Sequence, residues 1–245
     1  MEPRYRKITV KVGSNVLTKR DGTLNVSRIA HLVEQIATLH KAGIEIVLVS
    51  SGAVASGRAV LTPSAKTDPV SARQLWAALG QVRLMSRYSD LFREYGLNCA
   101  QVLTTKENFS SRAHYLNMKN CINTLLENRV IPVVNENDTI SVTELMFTDN
   151  DELSGLMATL AQSEALIILT NVPGLMRRFP DESTLIPRLS KNGLEAALDF
   201  AQGRMKKKVI GAAEALQQGV AQVIFADGRC PEPLFAALEG KGTVI

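Results

Sequence analysis

The 245-residue chain predicts an α/β protein with a mostly parallel sheet covered by helices on both faces, a three-layer αβα sandwich. Two patterns carry this. Short apolar runs alternate with stretches of helical periodicity, which implies successive βαβ units. Turn residues then follow one strand end after another, placing short polar groups along the carboxyl edge of the sheet, where such folds bind ligands. Hydrophobic residues at 45% and charged residues at 21% supply a packed core. No repeat, low-complexity linker or domain boundary interrupts the pattern, so one domain over residues 1–245 is expected.

Ile8 to Val12 reads as the first strand and Gly13-Ser14-Asn15 as a turn. From Ser27 to Ala42, Ile29, Leu32, Val33, Ile36 and Leu39 recur at helical spacing, and Gly43 stops the helix. Ile44 to Val49 is a buried strand, Ser50-Ser51-Gly52 a tight turn, and Ala53 to Val60 a short helix. Thr62 to Asp68, with Pro69 next, lacks periodicity and reads as a loop. A long helix runs from Ala72 to Tyr95 and ends at Gly96; it suits the core or a dimer interface. Leu97 to Leu103 is a strand, Ser111 to Asn128 a helix and Val130 to Val134 a strand. Leu153 to Ala161 reads as a helix and Ala165 to Leu169 as a strand; a helix from about Lys207 to Gln217 and a strand from Ala221 to Phe225 close the pattern.

Bulk properties exclude several classes. No apolar run approaches the roughly 18 residues that span a bilayer, and the basic segment Met1 to Lys7 lacks the apolar stretch of a signal peptide. A soluble cytoplasmic protein with no membrane partner is expected. Cys99, Cys121 and Cys230 form no Cys-x-x-Cys pair, so neither a disulfide framework nor a zinc site is implied. Lys206-Lys207-Lys208 lacks a flanking basic run or interleaved aromatics, and no nucleic-acid partner is expected. A net charge of +4 fits an anionic ligand such as a nucleotide.

The polar edge offers the chemistry. An apolar run ends abruptly at Asn135-Glu136-Asn137-Asp138, and Asp149-Asn150-Asp151 opens a helix soon after. A core has no use for so many short polar groups. Lys11 lies at the end of the first strand beside Gly13-Ser14, either as a surface lysine or as a phosphate contact. Ser51 either caps the following helix or binds an anion at its N-terminus. One residue of Asp149-Asn150-Asp151 suffices as a cap; the others are available to orient lysines, hold Mg²⁺ or bind an ammonium. Gly203 to Lys208 reads as a basic loop before a helix, solvated or able to close on phosphates. Lysines, glycine turns and carboxylates together suggest phosphoryl transfer, which needs positioning and charge neutralisation rather than a protein nucleophile. No Gly-x-x-x-x-Gly-Lys-Ser/Thr motif is present, so this is not a P-loop enzyme. A serine hydrolase centred on Ser51 fails, because Val49 and Ala53 stand where Gly-x-Ser-x-Gly needs glycines and no histidine follows His114.

The chain resembles the amino acid kinase superfamily and, within it, the glutamate 5-kinase family. The matching segments are VKVGSNVLT from Val10, VSSGAVASG from Val49, ALGQ from Ala78, QVLTT from Gln101, YLNMKNCINTLLE from Tyr115, PVVNENDTIS from Pro132, FTDNDELSGLMA from Phe147, ILTNVPGL from Ile168 and GRMKKKVIGAA from Gly203. They occur in order over nearly the whole chain. The resemblance implies ATP-dependent phosphorylation of the L-glutamate γ-carboxylate, the first step of proline biosynthesis, with ATP and Mg²⁺ as cofactors and no direct protein ligand to the metal. It implies that Lys11 and Lys208 contact the phosphates and that Asp149 orients both lysines. Ser51, Asp138 and Asn150 would bind glutamate, with Gly52, Ala53 and Asn135 beside them. Gly13, Ser14, Thr170, Asn171 and the segment Gln202, Gly203, Arg204, Met205, Lys206, Lys207 and Lys208 would hold the nucleotide. A glutamate-binding part to about residue 165 and a nucleotide-binding part from about 166 would share the domain. The runner-up readings are an acetylglutamate or uridylate kinase and a non-catalytic amino-acid sensor.

This chain departs from the family pattern at Asn171, usually Asp, and at Arg204 and Lys207, usually Gly and Thr. Many relatives also carry a C-terminal PUA domain; here the sequence stops at Ile245, and no such domain is expected. Feedback inhibition by proline, read onto the loop Thr62 to Pro69, and a homo-oligomer, dimer or tetramer, are further expectations.

Overall fold

The computed structural model describes residues 4–141 and 150–245. Its centre is a seven-stranded sheet: β1 (Lys7–Val12), β2 (Glu45–Ser50), β3 (Cys99–Thr104), β4 (Ile131–Glu136), β5 (Ala165–Thr170), β6 (Gln222–Asp227) and β7 (Thr243–Val244). The strand order is β3-β4-β2-β1-β5-β6-β7. Among the described residues all strand pairings are parallel except β6 with β7. The chain winds outward from β1 in one direction to reach β2, then crosses to the other side to place β5. That reversal opens a crevice above the carboxyl end of β1, the usual ligand position in such sheets.

Strand alternation assigns each residue to a face. Ile8, Val10, Val12, Ile46, Leu48, Ile167 and Leu169 point into one core with α2 (Val26–Lys41), α4 (Pro69–Glu94) and α10 (Pro233–Leu238). On the other face, Val47, Val49 and Val134 pack under α6 (Arg112–Glu127) and α7 (Asn150–Leu160). Leu166, Ile168, Val223 and Phe225 pack there under α8 (Gly193–Phe200) and α9 (Gly203–Gln217). In β1 the inward positions on this second face are Thr9 and Lys11, both buried. Thr9 Oγ1 meets Ser163 Oγ at 2.8 Å, and Lys11 is the buried charged group of the strand, paired with Asp151 of α7.

The helices follow the expected periodicity, with differences at their ends. Gly13 to Asn15 is not a plain turn: α1 (Ser14–Leu17) is one helical turn that buries Val16 and Leu17. The long helix begins at Pro69, not Ala72. Asp68 accepts from the N–H groups of Val70 and Ser71, and proline in the first turn loses no helical hydrogen bond. Its Tyr88 hydroxyl meets Ser50 Oγ at 2.9 Å, fixing the helix over the end of β2. Helix α3 (Ala53–Arg58) crosses it closely through Gly57 and Gly80.

Two site segments also differ. Asn135 and Glu136 belong to β4 itself, because the ladder to β3 continues through Leu103↔Asn135 and Thr104↔Glu136. Gly203 to Lys208 is not a loop but the first two turns of α9. Arg, Met and Lys are good helix formers, and Met205 packs against the core beneath. Short elements without a periodic signal, α5 (Lys106–Ser110), α8, α10, β7 and a 3₁₀ turn at Glu182–Thr184, were not anticipated. Among the described residues no helix is long and apolar enough to cross a membrane.

Candidate functional site

A cleft of about 630 Å³ opens above the carboxyl ends of β1, β2, β4 and β5. Among the described residues, six basic side chains line it (Lys11, Arg58, Arg73, Arg204, Lys207 and Lys208) against two acidic ones, Glu136 and Asp138. Anionic ligands are favoured in such a field.

The floor is an ion cluster. Lys11 is 3% exposed and Asp151 2%. Asp151 Oδ1 lies 2.5 Å from Lys11 Nζ, and its Oδ2 accepts from Lys208 Nζ. Burial alone would raise the Asp151 pKa; the Lys11 and Lys208 ammoniums outweigh it and hold the carboxylate below its usual range. Asp151 therefore stays ionised and aims two ammoniums at one place. The surface reading of Lys11 fails, since strand alternation turns it inward. Asp149, the residue expected to orient the lysines, lies outside the described residues; the carboxylate seen between them belongs to Asp151.

The opposite wall is a hydrogen-bonded polar network. Gly52 adopts φ +108°, a conformation that side chains resist, and lets the chain turn from β2 directly into α3. Ser51 does not cap that helix, whose N-cap is Gly52 with no side-chain bond. Its Oγ instead accepts from Asn150 Nδ2 at 2.8 Å. The same Nδ2 donates to Asn135 Oδ1 at 3.0 Å. Asp138 accepts from Arg73 at 2.7 Å, a pairing across 65 residues that nothing in the sequence announced. Arg58 reaches the cleft with its guanidinium 4.6 Å from the centre of the Trp76 ring.

Of the residues singled out in the sequence, Lys11, Gly13, Ser14, Thr170, Asn171, Arg204, Lys207 and Lys208 line one side of the cleft. Ser51, Gly52, Ala53, Asn135, Asp138 and Asn150 line the other. A Cβ at Gly13 would lie 3.5 Å from Lys11 Nζ, in ordinary van der Waals contact. Gln202, Gly203, Met205 and Lys206 are not brought to the cleft lining. Arg58 and Arg73 are charged cleft groups that sequence reasoning missed; Asp151 was named only within the cluster able to orient lysines, without a role of its own.

Among the described residues, no group of three His, Cys, Asp or Glu side chains is placed to hold a metal. Asp138 and Asp151 are engaged by Arg73 and by Lys11 and Lys208. The donor set suits phosphate oxygens rather than a bare cation.

Fold and site together define a doubly wound α/β protein that gathers buried cations and an amide–hydroxyl wall at one sheet edge. The chain belongs to the amino acid kinase family, whose family model matches residues 6–227. It is 52% identical over 237 residues to the glutamate 5-kinase of Bacteroides thetaiotaomicron, an alignment covering 94% of this chain and 66% of that protein. It is 37% identical over 249 residues to glutamate 5-kinase 1 of Bacillus subtilis, covering 98% of this chain and 68% of the relative. The chain thus spans about two thirds of the length of these curated relatives. Among solved structures, carbamate kinase from Giardia lamblia bound to AMP-PNP aligns with a TM-score of 0.72 at 22% identity, covering 99% of this chain and 98% of that one. N-acetylglutamate synthase from Neisseria gonorrhoeae, complexed with coenzyme A and N-acetyl-glutamate, aligns at 0.72 and 20% identity, covering 98% of this chain and 59% of that one. At these identities the structural likeness speaks for the fold.

Proposed function

We propose that the chain transfers the γ-phosphoryl group of ATP to the γ-carboxylate of L-glutamate, giving glutamyl 5-phosphate and ADP, the entry step of proline biosynthesis. The observation that carries this is the Lys11–Asp151–Lys208 cluster facing the Ser51–Asn150–Asp138 wall across one cleft. Relatives named glutamate 5-kinase support the choice of acceptor.

The chemistry asks little of the protein beyond charge and position. A glutamate γ-carboxylate oxygen forms the new P–O bond. The bond from the γ-phosphorus to its bridging oxygen breaks, and that electron pair leaves on ADP. A carboxylate is ionised at neutral pH, so no proton is removed and no general base is required. Lys11 and Lys208 neutralise charge on the transferring group, and preorganised donors of this kind contribute about 10²–10³ in rate each. Asp151 fixes both ammoniums before the ligand arrives. Ser51, Asn150 and Asp138 hold glutamate, while Thr170, Asn171 and the first turns of α9 hold the nucleotide. Mg²⁺ is proposed to enter on the ATP phosphates, which supply its oxygen ligands. The division of labour near residue 165, work in the cytoplasm, a homo-oligomeric state and inhibition by proline through the segment 62–69 belong to the same proposal.

A coupled ADP-release assay over glutamate, N-acetylglutamate, aspartate and UMP tests it. Turnover with glutamate is expected. Turnover with one of the other three but not glutamate would sink the reading. Shortening the segment 62–69 should abolish proline inhibition while glutamate turnover persists.

A further inference from the structure

The segment ALGQ from Ala78 matched the family pattern without acquiring a task, and Gln81 at its end does not itself line the cleft. Gln81 sits on α4, 8% exposed, and its Oε1 accepts from Asn135 Nδ2 at 3.0 Å. Its Nε2 is buried without a hydrogen-bond partner among the described residues. Gln81 thus contributes an acceptor, and its acceptor is directed at the site.

The polarity of the network follows from one backbone group. The Glu136 N–H donates to Asn135 Oδ1 at 2.9 Å. A backbone N–H can only donate, so the oxygen and nitrogen of the Asn135 amide are assigned without ambiguity. Its Nδ2 must then point the other way, where Gln81 Oε1 receives it. Because Asn135 presents oxygen to Asn150, the Asn150 atom that meets it at 3.0 Å must be nitrogen. The second hydrogen of that Nδ2 goes to Ser51 Oγ at 2.8 Å. Ser51 accepts there and keeps its own hydroxyl hydrogen for a ligand. Asn150, which lines the cleft, then has its Oδ1 left as an acceptor. Had the Asn135 amide turned over, each of these roles would invert.

We infer that Gln81 is a positioning residue for the acceptor substrate. By accepting from Asn135 it locks the Asn135–Asn150–Ser51 relay in the direction that offers a hydroxyl donor to a carboxylate and a carbonyl acceptor to a free ammonium. This rests on the glutamate reading above. Without an acceptor at position 81, the buried Asn135 Nδ2 has none. Turning the amide toward Asn150 then competes with the Glu136 bond, and the pocket samples the wrong polarity.

The test compares Gln81→Glu, which keeps an oxygen toward Asn135, with Gln81→Met, which keeps length but removes the acceptor. Gln81→Leu repeats the second arm with another apolar side chain. Steady-state KM for glutamate and for ATP, kcat and the melting temperature are measured on the full chain. Gln81→Met and Gln81→Leu should raise KM for glutamate about tenfold, the effect of losing one hydrogen bond, with KM for ATP within about twofold. Gln81→Glu should stay within about threefold of wild type. An active wild type whose Gln81→Met form keeps its glutamate KM overturns this inference alone. So does an equal rise in the Glu and Met variants, or a parallel rise in both KM values. A wild-type chain inert toward glutamate overturns the functional reading and this inference with it.

Discussion

Replacing Asp151 by Asn is the sharpest perturbation the site allows. The amide keeps the volume and removes one negative charge from between two ammoniums. Lys11, Lys208 and Asp151 have side chains 3%, 11% and 2% exposed, so solvent screens the cluster poorly. The cluster's formal charge rises from +1 to +2. Removing one partner of a buried ion pair costs roughly 3–5 kcal/mol. Lys208 borders the open cleft, where water and anions relieve part of this, so the lower end, about 3 kcal/mol, is expected. For a chain of this size each kcal/mol shifts Tm by about 2–4 °C, which gives a fall of about 6–12 °C. Turnover should drop about 10²–10³-fold as the lysines lose their fixed aim. Added AMP-PNP should raise Tm more in the variant than in wild type, because a polyanion then supplies the charge that Asp151 supplied. The gap between the two proteins should be constant from pH 5 to 8. The Asp151 pKa is depressed in the fold, so its contribution is complete above the unfolded carboxylate value of about 3.9 and disappears only as pH falls through the lower folded value. A melting temperature within 2 °C of wild type together with turnover within about threefold would refute the cluster's role.

Three other outcomes are expected. Gly80→Ala should lose about 3 kcal/mol in urea unfolding, since its Cβ would sit 1.8 Å from Ala53 O and 2.5 Å from Gly57 N, and both are backbone atoms; an unchanged midpoint would contradict the close α3–α4 crossing. His40 is held below its ordinary pKa by burial and then by Arg129, whose Nη2 donates to its Nδ1 at 3.1 Å. The neutral ring therefore stabilises fully above the unfolded value of about 6.5, and stability falls as pH drops toward the lower folded value; wild type should lose more than His40→Gln between pH 7.5 and 5.5. Ser51→Ala should raise KM for glutamate about tenfold and leave KM for ATP unchanged, which steady-state kinetics would read directly.

The fold was legible because its strands are long enough to show apolar continuity and its helices long enough to show periodicity. Val47, Val49, Ile46 and Leu48 read as a continuous run because β2 is covered on both faces. Helices α8 and α10, at eight and six residues, and the two-residue β7 gave no period to detect. At Gly203 the propensity of Arg, Met and three lysines for helix stood against the reading of a phosphate loop, and the helix prevailed. The pairing of Asp138 with Arg73 depends on how α4 lies across the sheet, which no local pattern encodes.

Asp151 is different, because its position was available from helix geometry. Adjacent residues of a helix point about 100° apart, so Asn150 and Asp151 cannot serve the same wall. Asp151, Ser154, Gly155 and Ala158 fall at i, i+3, i+4 and i+7 and are all buried. The small residues of that stripe let α9 approach: a Cβ on Gly155 would meet Gly211 O at 3.4 Å. A carboxylate at the open end of so close a helix–helix contact must find cations on the facing elements or stay protonated. Lys208 is the facing residue of α9, and Lys11 the inward lysine of β1. The stripe runs toward Asp151 and turns Asn150 to the amide wall, and one step of helix therefore divides the lysine cluster from the Ser51–Asn135 network.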